Sequence, residues 1–231
     1  LFEREHHRRV ASVLEALDAD LLKANACLFG GGTAIALRYG EYRESVDIDF
    51  LVSDRAGYRA LRQRIGGTGG LRAIQRAGRA LDQARAVRAD QYGLRTVVRA
   101  GGIEIKFEIV LEGRIALDAP GASDEVCGVA TLTPLDLAAS KLLANSDRWA
   151  DDAVFSRDLI DLAMMAPPRK LLTAAIEKAR GAYGDSIEND LAKAIDALRA
   201  RPHRLDQCIE AMQMRTVPKA LLWKRIKALA R

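Results

Sequence analysis

The chain has 231 residues, about half of them apolar, and a formal net charge of +5. That is enough apolar material for one substantial core or two modest ones, so the chain is expected to fold unaided. No apolar run approaches the roughly 20 residues of a membrane span and no secretory leader is visible, which points to a soluble, cytoplasmic protein with no membrane partner. Cys27, Cys127 and Cys208 are odd in number and far apart, fitting reduced thiols better than a disulfide framework or a zinc site. His6, His7 and His203 lack ligand spacing as well.

Apolar positions Val10, Val13, Leu14, Leu17 and Leu21 recur at helical spacing and predict one amphipathic helix of several turns. Ala26 to Phe29 reads as a short buried strand. Gly30 to Gly32 then make a turn, Thr33 is placed to cap, and Ala34 to Tyr39 form a short helix ended by Gly40. Glycines between a strand and a helix start let backbone N–H groups approach a polyphosphate at the positive end of the helix. Val46 to Val52 is the next predicted strand. Asp47 and Asp49, two apart, fall on one face of it, with Val46, Ile48 and Phe50 on the core side. Two such carboxylates suit Mg²⁺, a hard cation that takes one or two protein carboxylates together with substrate phosphates.

Ser53-Asp54 caps a helix carrying Tyr58, Leu61 and Ile65, stopped by the Gly66-Gly67-Thr68-Gly69-Gly70 cluster, which is the best candidate for a mobile loop. From Arg55 to Arg99 there are eleven arginines and no lysine against two acids; from Arg201 to the end, eight basic residues face two. Solvated helix faces and a polyanion-binding surface account for this equally well, and arginine usage without lysine tilts toward phosphate contacts. Interleaved aromatics are few (Tyr58, Tyr92), which gives base stacking little support.

Leu71 to Arg88 has weak helical periodicity. Leu94 to Arg99 and Ile103 to Leu111 are predicted strands joined through Gly101-Gly102, a hairpin signal. In the second, Ile103, Ile105, Phe107 and Ile109 face one way and Glu104, Lys106 and Glu108 the other. A third acid beside Asp47 and Asp49 would complete a metal site or deprotonate an attacking hydroxyl; Glu108 is the candidate, with Glu104 in reserve, and a salt-bridged ladder around Lys106 is the competing account. Val126 to Leu132 is a further candidate strand. From Thr133-Pro134-Leu135-Asp136, a strong helix start, the pattern is helical to the end: Ser156 to Met165, Pro168 to Arg180, Ser186 to Leu198, His203 to Met212 and Pro218 to Ala230. The expected organisation is an α/β domain over 1–132 and a helical domain over 133–231.

Gly31-Gly32-Thr33, the run Leu37-Arg38-Tyr39-Gly40, Arg43, Ser45 and Asp47-Ile48-Asp49-Phe50 resemble the first motif of the DNA polymerase β-type nucleotidyltransferase superfamily and, more closely, the AbiEii/AbiGii toxin family. Lys141 and the string Ser156-Arg157-Asp158-Leu159-Ile160-Asp161-Leu162 resemble that family's Lys and Arg-Asp-x-x-Asp-Leu signature. The resemblance runs from about Phe29 to Met165. It implies an α+β fold, a small mixed sheet flanked by helices and followed by an all-helical part, that binds a nucleoside triphosphate and Mg²⁺ and moves a nucleotidyl group to an acceptor hydroxyl. In some relatives the acceptor is transfer RNA, and such relatives often act as toxins beside a neutralising antitoxin protein.

Carried onto this chain, the resemblance implies that Gly31, Gly32 and Thr33 cradle the triphosphate, that Arg43 and Ser45 brace the loop, and that Asp47, Asp49 and Glu108 hold metal. It also implies that Lys141 and Arg157 meet the nucleotide, and that Asp158 and Asp161 orient them. Arg148 is only loosely placed against the family's intermediate basic residue, and Glu stands where Asp is common at the third acidic position. A small-molecule, antibiotic-type nucleotidyltransferase, an Asp-x-Asp glycosyltransferase and a non-catalytic basic module binding nucleic acid or protein are the competing readings.

Overall fold

A computed structural model describes residues 2–201 and 203–230. The chain divides into two compact units, one formed by 1–37 and 45–133, the other by 38–44 and 134–231. The short piece Arg38–Glu44 thus belongs with the helical residues, although it interrupts the α/β part of the sequence.

The α/β unit opens with α1 (Glu5–Glu15) and α2 (Ala19–Ala24), two helices where the periodicity predicts one. The break has a local cause. Asp18 accepts the Leu21 N–H through Oδ1 at 3.0 Å and starts a new helix, while Leu17 bridges to Gln75 and Leu22, not Leu21, enters the core. β1 (Leu28–Phe29) leads into α3 (Gly31–Arg38), β2 (Ile48–Val52) and α4 (Arg55–Ile65). Asp54 caps α4 by accepting the Ala56 and Gly57 N–H groups. β5 (Gly93–Ala100) and β6 (Ile103–Leu111) form the predicted hairpin, and Gly101 and Gly102 both take the left-handed φ that a two-residue turn demands.

The main sheet runs β1-β2-β6-β5-β3, with β3 (Asp82–Gln83) and β4 (Arg88–Ala89) both pairing β5. It is mixed: β2 and β6 are parallel, the other pairs antiparallel. Phe29, Phe50 and Phe107 stack across three neighbouring strands at 5.5 and 5.6 Å between centroids and anchor its buried face. These are the residues that fix which side of β2 is left for Asp49.

Three further expected elements differ. Val46 precedes the strand and is 46% exposed, so it does not join Ile48 and Phe50 in the core. The Leu71 to Arg88 stretch is not helical beyond a 3₁₀ turn at Gly70–Ile74. Its backbone groups are met by glutamine side chains, Leu71 N–H by Gln83 Oε1 and Leu81 N–H by Gln75 Oε1, and by the sheet edge. Val126 to Leu132 folds back on itself as β7 (Glu125–Val126) and β8 (Val129–Ala130), because Cys127 and Gly128 both adopt positive φ.

The second unit is built from α5 (Pro134–Arg148), α6 (Arg157–Met165), α7 (Arg169–Tyr183), α8 (Ser186–Ala200), α9 (Arg204–Ala211) and α10 (Lys219–Ala228), with a 3₁₀ turn at Asp152–Val154. Leu142, Leu143, Leu159, Ile160, Ile176, Ile187 and Leu222 are among its buried core residues. Among the described residues no helix is long and apolar enough to cross a membrane.

Candidate functional site

In the α/β unit the glycine turn and the acidic strand meet. Gly30 donates its N–H to the Asp49 carbonyl at 2.8 Å, which joins the start of α3 to β2. Gly31 follows with φ +67°, and a Cβ built on it would lie 2.5 Å from Asp49 Oδ2. Only glycine tolerates both the backbone and the carboxylate at that distance. Asp49 is therefore held against the first residue of α3, where helical N–H groups have no partner within their own helix. Asp47 lies two residues earlier and, like Asp49, is half-buried.

Thr33 is not a cap. The helix begins two residues before it, and its buried hydroxyl donates to the Asp47 carbonyl at 2.5 Å and lies 2.8 Å from Ser45 Oγ. Its hydroxyl thus ties the loop before β2 to α3. Ser45 is fastened again at its N–H, which donates to Nε2 of the buried His7 at 3.1 Å. His7 is a supporting residue that spacing alone did not reveal.

Glu108 occupies the register position beside Asp49 on the parallel neighbour strand, and Arg95 the position beyond it on β5. Its two oxygens are engaged, one with Arg95 Nε at 3.1 Å and the other with Lys106 Nζ at 2.7 Å. Burial works against the charge on Lys106, but its hydrogen bond to Glu108 and the charges of Glu108, Asp47 and Asp49 outweigh this and raise its pKa. Lys106 and the three acids thus share one electrostatic neighbourhood. Glu104 stands four residues further along β6, paired with Arg85 and Arg99, away from the register position of Asp49.

Among the described residues no cluster of three or more His, Cys, Asp or Glu side chains is arranged to hold a metal ion. The fit to Mg²⁺ rests on two hard oxygen donors, Asp47 and Asp49, beside a helix start. That set suits a cation completing its shell with phosphate oxygens and water.

The helical unit places the downstream motif differently. Asp161 is buried and accepts four hydrogen bonds: from Tyr42 Oη at 2.6 Å, Arg43 Nε at 2.7 Å, Arg43 Nη2 at 2.9 Å and Lys141 Nζ at 2.7 Å. Asp158 accepts from Lys141 Nζ at 2.9 Å and from Arg148 Nε and Nη2 at 2.7 and 3.0 Å. Burial pushes the Asp161 carboxyl up, yet Arg43 and Lys141 overcome it and hold the pKa well below the carboxylate range. Asp158 is lowered on the same balance, burial against Lys141 and Arg148. Burial also lifts the Tyr42 phenol, with Asp161 adding to the effect.

Lys141 and Arg43 are accordingly buried between carboxylates, and Arg43 is an anchor of Arg38–Glu44, not a loop-facing ligand. Arg157, by contrast, is exposed at the first turn of α6, and Asp161 takes its arginine partner from Arg43 instead. Tyr42 was not singled out by the motif; a tyrosine beside an arginine gives no signal until Asp161 is seen to collect both.

A glycine-led helix start set against an acidic strand of a small mixed sheet, in a chain that continues as a helical unit, defines an enzyme of the nucleotidyltransferase class. Two crystal structures from Helicobacter pylori share the fold: a candidate nucleotidyltransferase (17% identity, TM-score 0.53, 97% of this chain and 92% of that one) and JHP933 (17% identity, TM-score 0.52, 99% and 93%). No curated protein matches the sequence. The chain belongs to the nucleotidyl transferase AbiEii toxin family of type IV toxin–antitoxin systems, whose model matches residues 12–228.

Proposed function

We propose that this toxin-family enzyme transfers a nucleotidyl group from a nucleoside triphosphate to a hydroxyl of RNA, transfer RNA being the expected kind, and that a cognate antitoxin protein restrains it. The observation that carries the reading is the Asp49 carboxylate lodged against Gly31 at the start of α3. It brings a cation-binding group and a set of phosphate-binding N–H groups to one place. Asp47 and Asp49 would hold Mg²⁺, which when bound supplies charge neutralisation to the triphosphate.

The protein's own part is positioning. The N–H groups of Gly31 and Gly32 point phosphate oxygens at the helix start, and Thr33 and Ser45 fix the backbone of Asp47. The acceptor oxygen bonds to the α-phosphorus as the bond to pyrophosphate breaks, and the hydroxyl proton leaves to water. Glu108, taken up by Lys106 and Arg95, positions the cationic end of Lys106 beside the acids. Lys141, Asp158, Asp161 and Arg43 keep their motif positions by forming the core of the helical unit.

The test is incubation of the full chain with labelled nucleoside triphosphates, Mg²⁺ and total RNA, beside an Asp47→Ala/Asp49→Ala double variant. Labelling of RNA is expected from the native chain only. Equal labelling by both proteins defeats the metal assignment, and transfer to an aminoglycoside with none to RNA replaces the acceptor.

A further inference from the structure

Helix α4 leaves its charges unbalanced; α10, with Lys219, Lys224, Arg225 and Lys227 and no acid, does so too, but with lysine as its main base, whereas every base on α4 is a forked guanidinium. The eleven residues of α4 include Arg55, Arg59, Arg62 and Arg64 and no acid, and all four arginines are exposed. On several other helices basic side chains at the surface find acids: Arg9 pairs with Glu5, Lys193 with Asp190, Arg199 with Asp196, and Arg180 with Glu177, Asp185 and Glu188. Such neighbours three or four residues apart are the ordinary way a solvated helix face is balanced. On α4 this device is missing, and like charges one turn apart destabilise a helix. Gly57, Tyr58, Leu61 and Ile65 are buried on the opposite face, which forces the arginines outward.

Their spacing is regular. Arg55, Arg59 and Arg62 follow the i, i+4, i+7 row, a line of roughly 10 Å at 1.5 Å per residue. A row of that length can face neighbouring phosphates of one nucleic-acid strand. Each guanidinium offers a planar fork that suits phosphate oxygens. The row also borders two grooves. One, of about 690 Å³, runs between α4 and the end of the β5–β6 hairpin and is lined by Arg55, Arg59, Arg62 and Tyr92; the other, of about 480 Å³, shares Arg59 and Arg62.

Tyr92 stands at the groove with 64% of its surface exposed. Its N–H donates to Asp90 Oδ1 at 2.7 Å, which fixes the backbone under the ring. An exposed ring beside a file of unpaired guanidinium groups is the pairing that single-stranded RNA uses, phosphate on arginine and base on tyrosine. An acidic protein would meet the same charge, but guanidinium forks spaced along one row favour a repeating phosphodiester over scattered carboxylates.

We infer that the arginine face of α4, with Tyr92 at its edge, is the docking surface for the RNA acceptor's phosphodiester backbone. This rests on the acceptor being RNA, and deepens that reading by saying where the strand is held. The test measures binding apart from transfer, by fluorescence anisotropy of a labelled RNA hairpin with a single-stranded 3′ tail on full-length Asp49→Asn protein. An Arg55→Gln/Arg59→Gln/Arg62→Gln variant in that background is expected to bind roughly 10- to 100-fold more weakly, and its slope of log K against log salt to be shallower by about 2.

Tyr92→Leu should weaken binding several-fold, with Tyr92→Phe restoring it. A control variant, Lys193→Gln/Arg199→Gln, removes charge from balanced helix positions and should bind as its parent does. Circular dichroism checks that the triple variant keeps its fold, since glutamine is as good a helix former as arginine. An unchanged affinity and salt slope in the folded triple variant overturns the surface while leaving RNA as acceptor. Binding lost equally in the control, or tighter binding of DNA of the same sequence, overturns it too. If the native chain labels no RNA at all, the acceptor reading fails independently of this result.

Discussion

The two motif-bearing regions use the same residue type for opposite ends. In the α/β unit Asp47 and Asp49 remain half-exposed beside a glycine turn, with one lysine near them. In the helical unit Asp158 and Asp161 are buried and saturated by seven hydrogen bonds from Tyr42, Arg43, Lys141 and Arg148. A carboxylate that takes a cation and a substrate has to remain within reach of solvent. A carboxylate that organises a helical core is buried, and its charge must be met there. Position in a signature does not distinguish these two tasks; exposure does.

The sharpest way to break this contrast is to remove one negative charge from each region. Asp49→Asn is expected to cut nucleotidyl transfer by at least about 10³-fold, on the order of 4 kcal/mol in the barrier, with thermal stability unchanged. Asp161→Asn should do the reverse. It leaves Arg43 and Lys141 buried without their counter-charge, and about 3–5 kcal/mol of unfolding free energy should be lost in urea titrations. If Asp161→Asn proves as stable as the native chain and inactive, the network is catalytic and the contrast collapses.

Acid should expose the same difference. Asp158 and Asp161 have folded pKa values below their unfolded ones. Their contribution is therefore complete above the unfolded value of about 3.9 and is lost as pH falls toward the folded values. Unfolding free energy from urea titrations is expected to drop as pH is lowered below about 5, and to drop less in Asp161→Asn, where one of the two groups no longer titrates. An identical pH profile in both proteins would remove Asp161 from the stability argument.

How much of this could be read from residues alone follows the range of the interactions. The Gly101-Gly102 hairpin, the capped start of α4 and the helix at Pro134 are local, and the sequence announces each through a turn or cap residue. Asp49 beside Gly31 was legible as well, because strand alternation and a glycine turn both act over a few residues. Arg43 and Asp161 lie 118 positions apart, and their pairing has no local trace. Leu71 to Arg88 misled for a related reason: its apolar spacing suits a helix, but Gln75 and Gln83 satisfy the backbone through long-range or irregular contacts that propensity does not count. The neutralisation of Glu108 needed Arg95 on a neighbouring strand, which alternation along β6 alone does not include.

Glycine substitutions sharpen the geometry of the α/β site at a smaller scale. Gly31→Ala combines a positive φ with a contact against Asp49, whereas Gly40→Ala meets a positive φ and no heavy atom within 4 Å. Both should lose about 1–2 kcal/mol for the left-handed backbone. Only Gly31→Ala should also lose transfer activity, at least tenfold, because the new methyl group displaces the carboxylate. Equal activity in the two variants would separate Asp49 from the turn.

The smallest expected effect concerns Arg157, the one basic member of the downstream signature that stays exposed. It sits at the N-terminal end of α6, where a positive charge opposes the helix dipole. Arg157→Gln should therefore leave stability within about 0.5 kcal/mol of the native chain, or slightly above it. If its guanidinium meets the nucleotide, the KM for the nucleoside triphosphate is expected to rise several-fold with kcat little changed. An unchanged KM would make Arg157 a solvated helix start, and the downstream signature would then be wholly architectural, with all the recognition left to the glycine turn and its two acids.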